Sequence, residues 1–229
     1  MRQRLTTSVL CAALVSGLLA ACSESGPETV SNPTPASSAE TGVSMDRPAP
    51  CGPGPNLLEN PTFTLNEAGF LLPWKTAQHA GQASFETRYE AGVFTVERTG
   101  PEHWLTLTQT LQLDEQRGRR LELRVDLEMD TNGEGDMAKY DPGAGLVYRI
   151  WGRPFPNLTV TRQVVEDTFQ HEPRLGKHDW TLVRKFIDVP ENATRMQVGF
   201  SLRANGRLSV RYPELHDCGP APVEAPGSE

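Results

Sequence analysis

Leu121-Glu122-Leu123-Arg124-Val125-Asp126-Leu127-Glu128-Met129 alternates apolar and charged residues without a break over nine positions. A period of two sends successive side chains to opposite faces of an extended strand, so this stretch reads as a strand with one dry face and one charged face. The habit continues on both sides. Leu105, Leu107, Leu111 and Leu113 share one phase, as do Trp180, Leu182, Arg184 and Phe186, and then Met196, Val198, Phe200 and Leu202. Turn signals Pro190-Glu191-Asn192 and Asn205-Gly206 separate these runs. No segment carries an amphipathic helical stripe and no tandem repeat is present. The expected class is an all-β sandwich.

Working outward, Cys51 and Cys218 stand at the two ends of the alternating segment, which spans about 168 residues, enough for one core. Residues 22–50 hold no aromatic and almost no large aliphatic side chain, so they cannot bury enough apolar area to offset ordering entropy and read as a disordered tether. A coil of that length reaches on the order of 30 Å. The tail 219–229 has the same composition. Residues 1–21 begin with Arg2 and Arg4 and continue as an apolar run that ends in Leu19-Ala20-Ala21-Cys22, a cleavable export signal. Small residues before a Cys resemble a bacterial lipoprotein box. That resemblance implies a lipid on Cys22 and a protein held to the membrane by acyl chains; the other reading is an ordinary secretory signal cut after Ala21. Ser23, where an Asp would signal inner-membrane retention, favours the outer membrane. Export places the cysteines in an oxidising compartment, so a Cys51 to Cys218 disulfide is expected, with two unpaired thiols as the alternative. Removing the leader takes the formal charge from −7 to about −9, which repels phosphate backbones and excludes nucleic acid as a partner.

The opening Asn56-Leu57-Leu58-Glu59-Asn60-Pro61-Thr62-Phe63 and the Trp74 that follows resemble the carbohydrate-binding modules of the galactose-binding-like jelly-roll type. So do Leu107-Thr108-Gln109-Thr110-Leu111, the strand start Gly118-Arg119-Arg120-Leu121, the spacing Trp180, Phe186, Val189, Pro190, and the closing strand Leu208 to Leu215. The resemblance implies a single jelly-roll domain over 51–218, with Trp74 and Trp180 as packing aromatics. It does not extend to the family's structural calcium, since Thr64 and Arg211 occupy the places of its acidic ligands.

Sugar sites need aromatic faces for the C–H side of a pyranose and polar groups for its hydroxyls. Trp104, Tyr140, Tyr148 and Trp151 are the candidate platforms, although Tyr148 and Trp151 fall on opposite faces of their strand and one face must be core. Glu122, Arg124, Asp126 and Glu128 form a charged row, and Arg124, Asp126 and Glu128 are candidate ligand contacts, with Arg149, Arg184 and Arg203 able to join from neighbouring strands. The alternative is a solvated sheet face with cross-strand ion pairs. Asp126 and Glu128 also have the spacing of a glycosidase carboxylate pair. Asp130-Thr131-Asn132-Gly133-Glu134-Gly135-Asp136, followed by Asp141, has the oxygen spacing of a calcium loop, with Asp130, Asn132, Glu134, Asp136 and Asp141 as ligands; a solvated hairpin loop is the other reading. There is no G-x-S-x-G, no H-E-x-x-H and no phosphate loop. The expected function is a lipid-anchored, non-enzymatic envelope protein that binds an oligosaccharide or polysaccharide. The alternatives are a sandwich that contacts protein or cell wall and, less favoured, a glycan hydrolase or lyase.

Overall fold

The structure, a computed structural model, describes residues 47–153, 155, 161–168 and 175–222. Cys22, the expected lipidation site, nearly all of the expected tether and residues 223–229 lie outside the described residues. Ten strands run in the order β1 (Lys75–Gln78), β2 (Phe85–Glu90), β3 (Val93–Arg98), β4 (Leu105–Gln112), β5 (Arg119–Asn132), β6 (Gly143–Gly152), β7 (Arg162–Thr168), β8 (Gly176–Asp188), β9 (Ala193–Arg203) and β10 (Asn205–Pro220). The first sheet has the order β1-β4-β9-β6-β7 and the second β2-β3-β10-β5-β8, with every pairing antiparallel. Only β2–β3 and β6–β7 connect neighbours within one sheet; every other connection crosses between sheets. This is a jelly-roll β-sandwich. Among the described residues no helix is long and apolar enough to cross a membrane.

The alternation in β5 decides the packing. Leu121, Leu123, Val125, Leu127 and Met129 are all buried, and they meet Met196, Val198, Phe200 and Leu202 of β9 across the core. Fully burying one such side chain contributes about 1.5–3 kcal/mol, so truncating Leu123 to Ala costs about 2–5 kcal/mol once its cavity is included. One end of the core is filled by aromatic rings. Trp74 packs 5.4 Å from Phe63 and 5.7 Å from Phe200, and its indole N–H donates to the Asn60 carbonyl at 3.0 Å. Trp74 is therefore the packing residue that the sequence implies.

The opening segment 56–63 forms no strand. It is a loop pinned to the sandwich by two amides. Asn56 accepts from the backbone N–H groups of Leu58 and Leu215 and donates to the Pro213 carbonyl, while Gln109, facing inward from β4, exchanges two 2.9 Å hydrogen bonds with the backbone of Glu59. A buried Gln costs little here because both its amide groups are satisfied.

The ends of the domain are tied together. Cys51 and Cys218 are bonded, with Cα atoms 5.1 Å apart across a sequence separation of 167. Arg47 to Pro50, read as the end of the tether, lie against the second sheet through the ion pairs described below. At the other end, Gly219 and Pro220 belong to β10, and the Ala221 amide donates to the Gly118 carbonyl at 2.8 Å.

Candidate functional site

The charged row on β5 divides in two. Glu122, Arg124 and Asp126 point away from the core, yet all three are buried, because the strap Arg47–Gly54 covers them. The Cys51 amide donates to Glu122 at 2.7 Å, and Arg184 of β8 pairs with the same carboxylate. Arg124 donates to the Pro48 carbonyl at 2.6 Å and pairs with Glu214 at 3.0 Å. Arg47 bridges Asp126 at 3.3 Å and Glu214 at 2.8 Å, and Arg211 approaches the other oxygen of Asp126 at 3.4 Å. Burial pushes the Glu122 carboxyl up, but Arg184, the Cys51 amide and Arg124 outweigh it and hold its pKa below the usual carboxylate range. Burial, together with the nearby charge of Arg47, pulls the Arg124 guanidinium down against the opposing effect of Glu214 and Glu122. Arg124 and Asp126 are thus fastenings for the strap, and the sequence expectation that they face ligand is corrected. Of the three arginines expected to join the row, only Arg184 does; Arg149 and Arg203 belong to β6 and β9 of the other sheet.

Beyond the strap the same face opens. Glu128 is half-buried beside Trp180, and both line a groove of about 360 Å³ with Arg88, Glu90, Thr95, Arg207 and Ser209. Trp180 is not the core residue that the family resemblance implies. On β8 it is Val183 and Ile187 that face inward, so Trp180, Leu182, Arg184 and Phe186 fall outside, and Phe186 is 46% exposed. The Arg211 guanidinium lies 4.1 Å from the centre of the Trp180 ring and shelters it.

The outer face of the first sheet gathers a second set. Register places Trp151 opposite Arg195, Arg149 opposite Gln197, and Val147 opposite Gly199 on β6 and β9. The Arg195 guanidinium sits 4.7 Å from the Trp151 ring centre, and Gln197 donates to the Thr108 hydroxyl at 3.0 Å across to β4. Between these groups the outward positions are small: Gly145, Gly199, Ser201 and Thr108. Water scarcely reaches them, with Ser201 3% and Thr108 6% exposed. Gly199 has a backbone reason as well, because a Cβ there would collide with the Leu107 carbonyl. Tyr148 points the other way, into the core, and is removed from the candidate platforms.

Trp104 stands apart from both faces. It precedes β4 and meets His79 edge-on at 6.2 Å, in a cluster where His103 stacks on Tyr140 at 3.7 Å and His79 bonds Glu102 at 2.8 Å. The seven ligand-contact candidates therefore occupy five places: the covered row, the groove beside it, the outer face of the first sheet, this end cluster and, for Tyr148, the core.

The acidic loop does not assemble a cation cage. Asp136 is held by Arg98 at 2.8 Å, which keeps its carboxyl below the usual range; Asn132 accepts from Asn205 at 3.0 Å and from the Glu134 amide at 3.1 Å. Asp130 lies in register with Arg207 and Lys177, and Asp141 ends the loop with a left-handed φ of 52°. Among the described residues, the one cluster of three or more Asp, Glu, His or Cys donors within 4.8 Å is Cys51, Glu122 and Cys218, two of which share the disulfide.

A last feature is apolar. Phe70, Leu72 and Leu65 are 63%, 56% and 43% exposed around a recess of about 400 Å³ that reaches Trp74 and Tyr89.

No family model and no curated protein matches the sequence. Solved structures do resemble it in shape. The enzymatically active domain of tailspike protein 4 from bacteriophage CBA120 aligns with a TM-score of 0.46 and 13% identity over 71% of this chain, which spans 21% of that one. A structure described as CBM4 aligns with a TM-score of 0.42 and 15% identity over 69% of this chain and 98% of that one. TmCBM61 in complex with beta-1,4-galactotriose gives 0.40 and 14% over 72% and 99%.

Proposed function

We propose that the domain binds an extended carbohydrate, without cleaving it, along the outer face of the first sheet. The observation that carries this reading is the pairing of Trp151 and Arg195 beside Arg149 and Gln197 on the outer face of β6 and β9. An indole offers a flat apolar surface to the C–H face of a pyranose, and guanidinium and amide groups match vicinal hydroxyls. A binding role without chemistry is supported by the state of the one carboxylate pair that sequence spacing suggested: Asp126 is neutralised by Arg47 and Arg211, so no two unpaired acids flank a cleft on β5. The box ending at Cys22 supports a lipid anchor, which would hold captured glycan at the envelope.

Trp151→Ala and Arg149→Ala should each reduce retention on insoluble polysaccharide, with Trp151→Ala weakening binding about tenfold, while both variants melt within a few degrees of wild type. A folded protein that stays blank across a broad glycan array overturns the reading. The exposed patch of Leu65, Phe70 and Leu72 then favours the second reading, in which the sandwich docks another protein through an apolar surface.

A further inference from the structure

We infer that the second sheet carries an independent glycan site, the groove of Trp180, Glu128 and Arg207, and that it accepts a neutral oligosaccharide. The inference takes its ligand class from the reading above and adds a second place on the opposite face of the sandwich.

The strap explains why the groove exists. Arg47–Gly54 crosses the sheet at the level of Glu122, Arg124 and Asp126 and gives each a partner: the Cys51 amide to Glu122 at 2.7 Å, the Pro48 carbonyl to Arg124 at 2.6 Å and Arg47 to Asp126 at 3.3 Å. Two residues further along β5 the cover ends. There Glu128, in the same phase and half-buried, has a side chain with no hydrogen-bond or ion-pair partner among the described residues, and neither has Arg207 across the groove. The Glu128 carboxylate is thus left to water, and a ligand hydroxyl can take the place of that water as donor.

The lining selects the ligand. Trp180 supplies a ring whose position Arg211 fixes from 4.1 Å. Among the lining residues Arg88 and Arg207 are matched by Glu90 and Glu128, so the lining carries no net formal charge to favour a polyanion or a polycation. Both group types engage adjacent hydroxyls in two-point hydrogen bonds, one as donor and the other as acceptor. Thr95 and Ser209 are spent on each other at 3.2 Å and form the floor. A volume of about 360 Å³ lies within the range of small-ligand sites.

The test is titration calorimetry of the intact protein with cellohexaose, xylohexaose and mannohexaose, all neutral, and with hexagalacturonate. Two sites per chain are expected for at least one neutral probe. Trp180→Ala and Trp151→Ala should each leave one site, and the double variant none. Glu128→Ala and Arg207→Ala, which remove side chains without partners, should weaken the second site about tenfold at an unchanged melting temperature, and they carry the test if Trp180→Ala fails to fold. A single site that disappears with Trp151→Ala and ignores Trp180→Ala, Glu128→Ala and Arg207→Ala overturns this inference and leaves the first reading standing. Preference for hexagalacturonate at the second site overturns its neutral assignment. No binding of any probe overturns both.

Discussion

Replacing both halves of the terminal disulfide, as Cys51→Ala with Cys218→Ala, should lower stability by up to about 5 kcal/mol. The bond closes a loop of 167 residues, and the chain-entropy relation for so long a loop gives a value near that limit, about 5 kcal/mol. A compact unfolded chain would reduce it. The native state itself should change little, because the strap keeps its other fastenings: Arg47 to Asp126 and Glu214, and Arg124 to the Pro48 carbonyl. The effect therefore resides mainly in the unfolded chain. For a domain of this size, each kcal/mol moves the melting temperature by about 2–4 °C, so calorimetry should show a drop on the order of 10–20 °C. Wild-type protein unfolded in reductant should match the variant. Adding Arg47→Ala should cost more in the variant than in wild type, since the ion pairs then hold the strap alone. A drop under about 1 kcal/mol, or strictly additive losses, would refute the account of a closed loop whose two fastenings share one strap.

Acid should loosen the same strap. The folded pKa of Glu122 lies below its unfolded value, so its contribution is complete above the ordinary carboxylate range near 4.3 and is lost as pH falls through the folded pKa. Glu122→Gln should cost about 1–3 kcal/mol at pH 7 and flatten the acid limb of a stability profile; an unchanged limb sinks the assignment. Calcium and chelator should give one melting curve, because Asp136 is engaged by Arg98 and Asn132 by Asn205. A rise of several degrees in millimolar calcium that Asp130→Ala removes would show that the loop rearranges around the ion.

The period of two in Leu121 to Met129 made the fold class legible, because a local pattern fixes which side chains share a face. It does not say what covers the other face. Glu122 and Arg124 read as an open charged row, and only contacts at long range, from Cys51 71 residues away and from Pro48 76 residues away, turn them into buried fastenings. No local rule carries that. Trp180 shows a different loss. Its phase with Leu182, Arg184 and Phe186 was readable, but the family resemblance implied a packing aromatic there, whereas β8 is an edge strand whose inward residues are the modest Val183 and Ile187. For Trp151 the sequence left both faces open, and the structure settles it by placing Ile150 and Tyr148 in the core, which turns the indole outward. Both tryptophans end on outer faces, each beside an arginine, Arg211 at 4.1 Å and Arg195 at 4.7 Å. A guanidinium over one indole face shelters apolar area without sealing it, so each ring keeps a surface that water covers poorly and a flat ligand can displace. That arrangement on both sides of one sandwich argues for recognition on two faces more strongly than either tryptophan does alone.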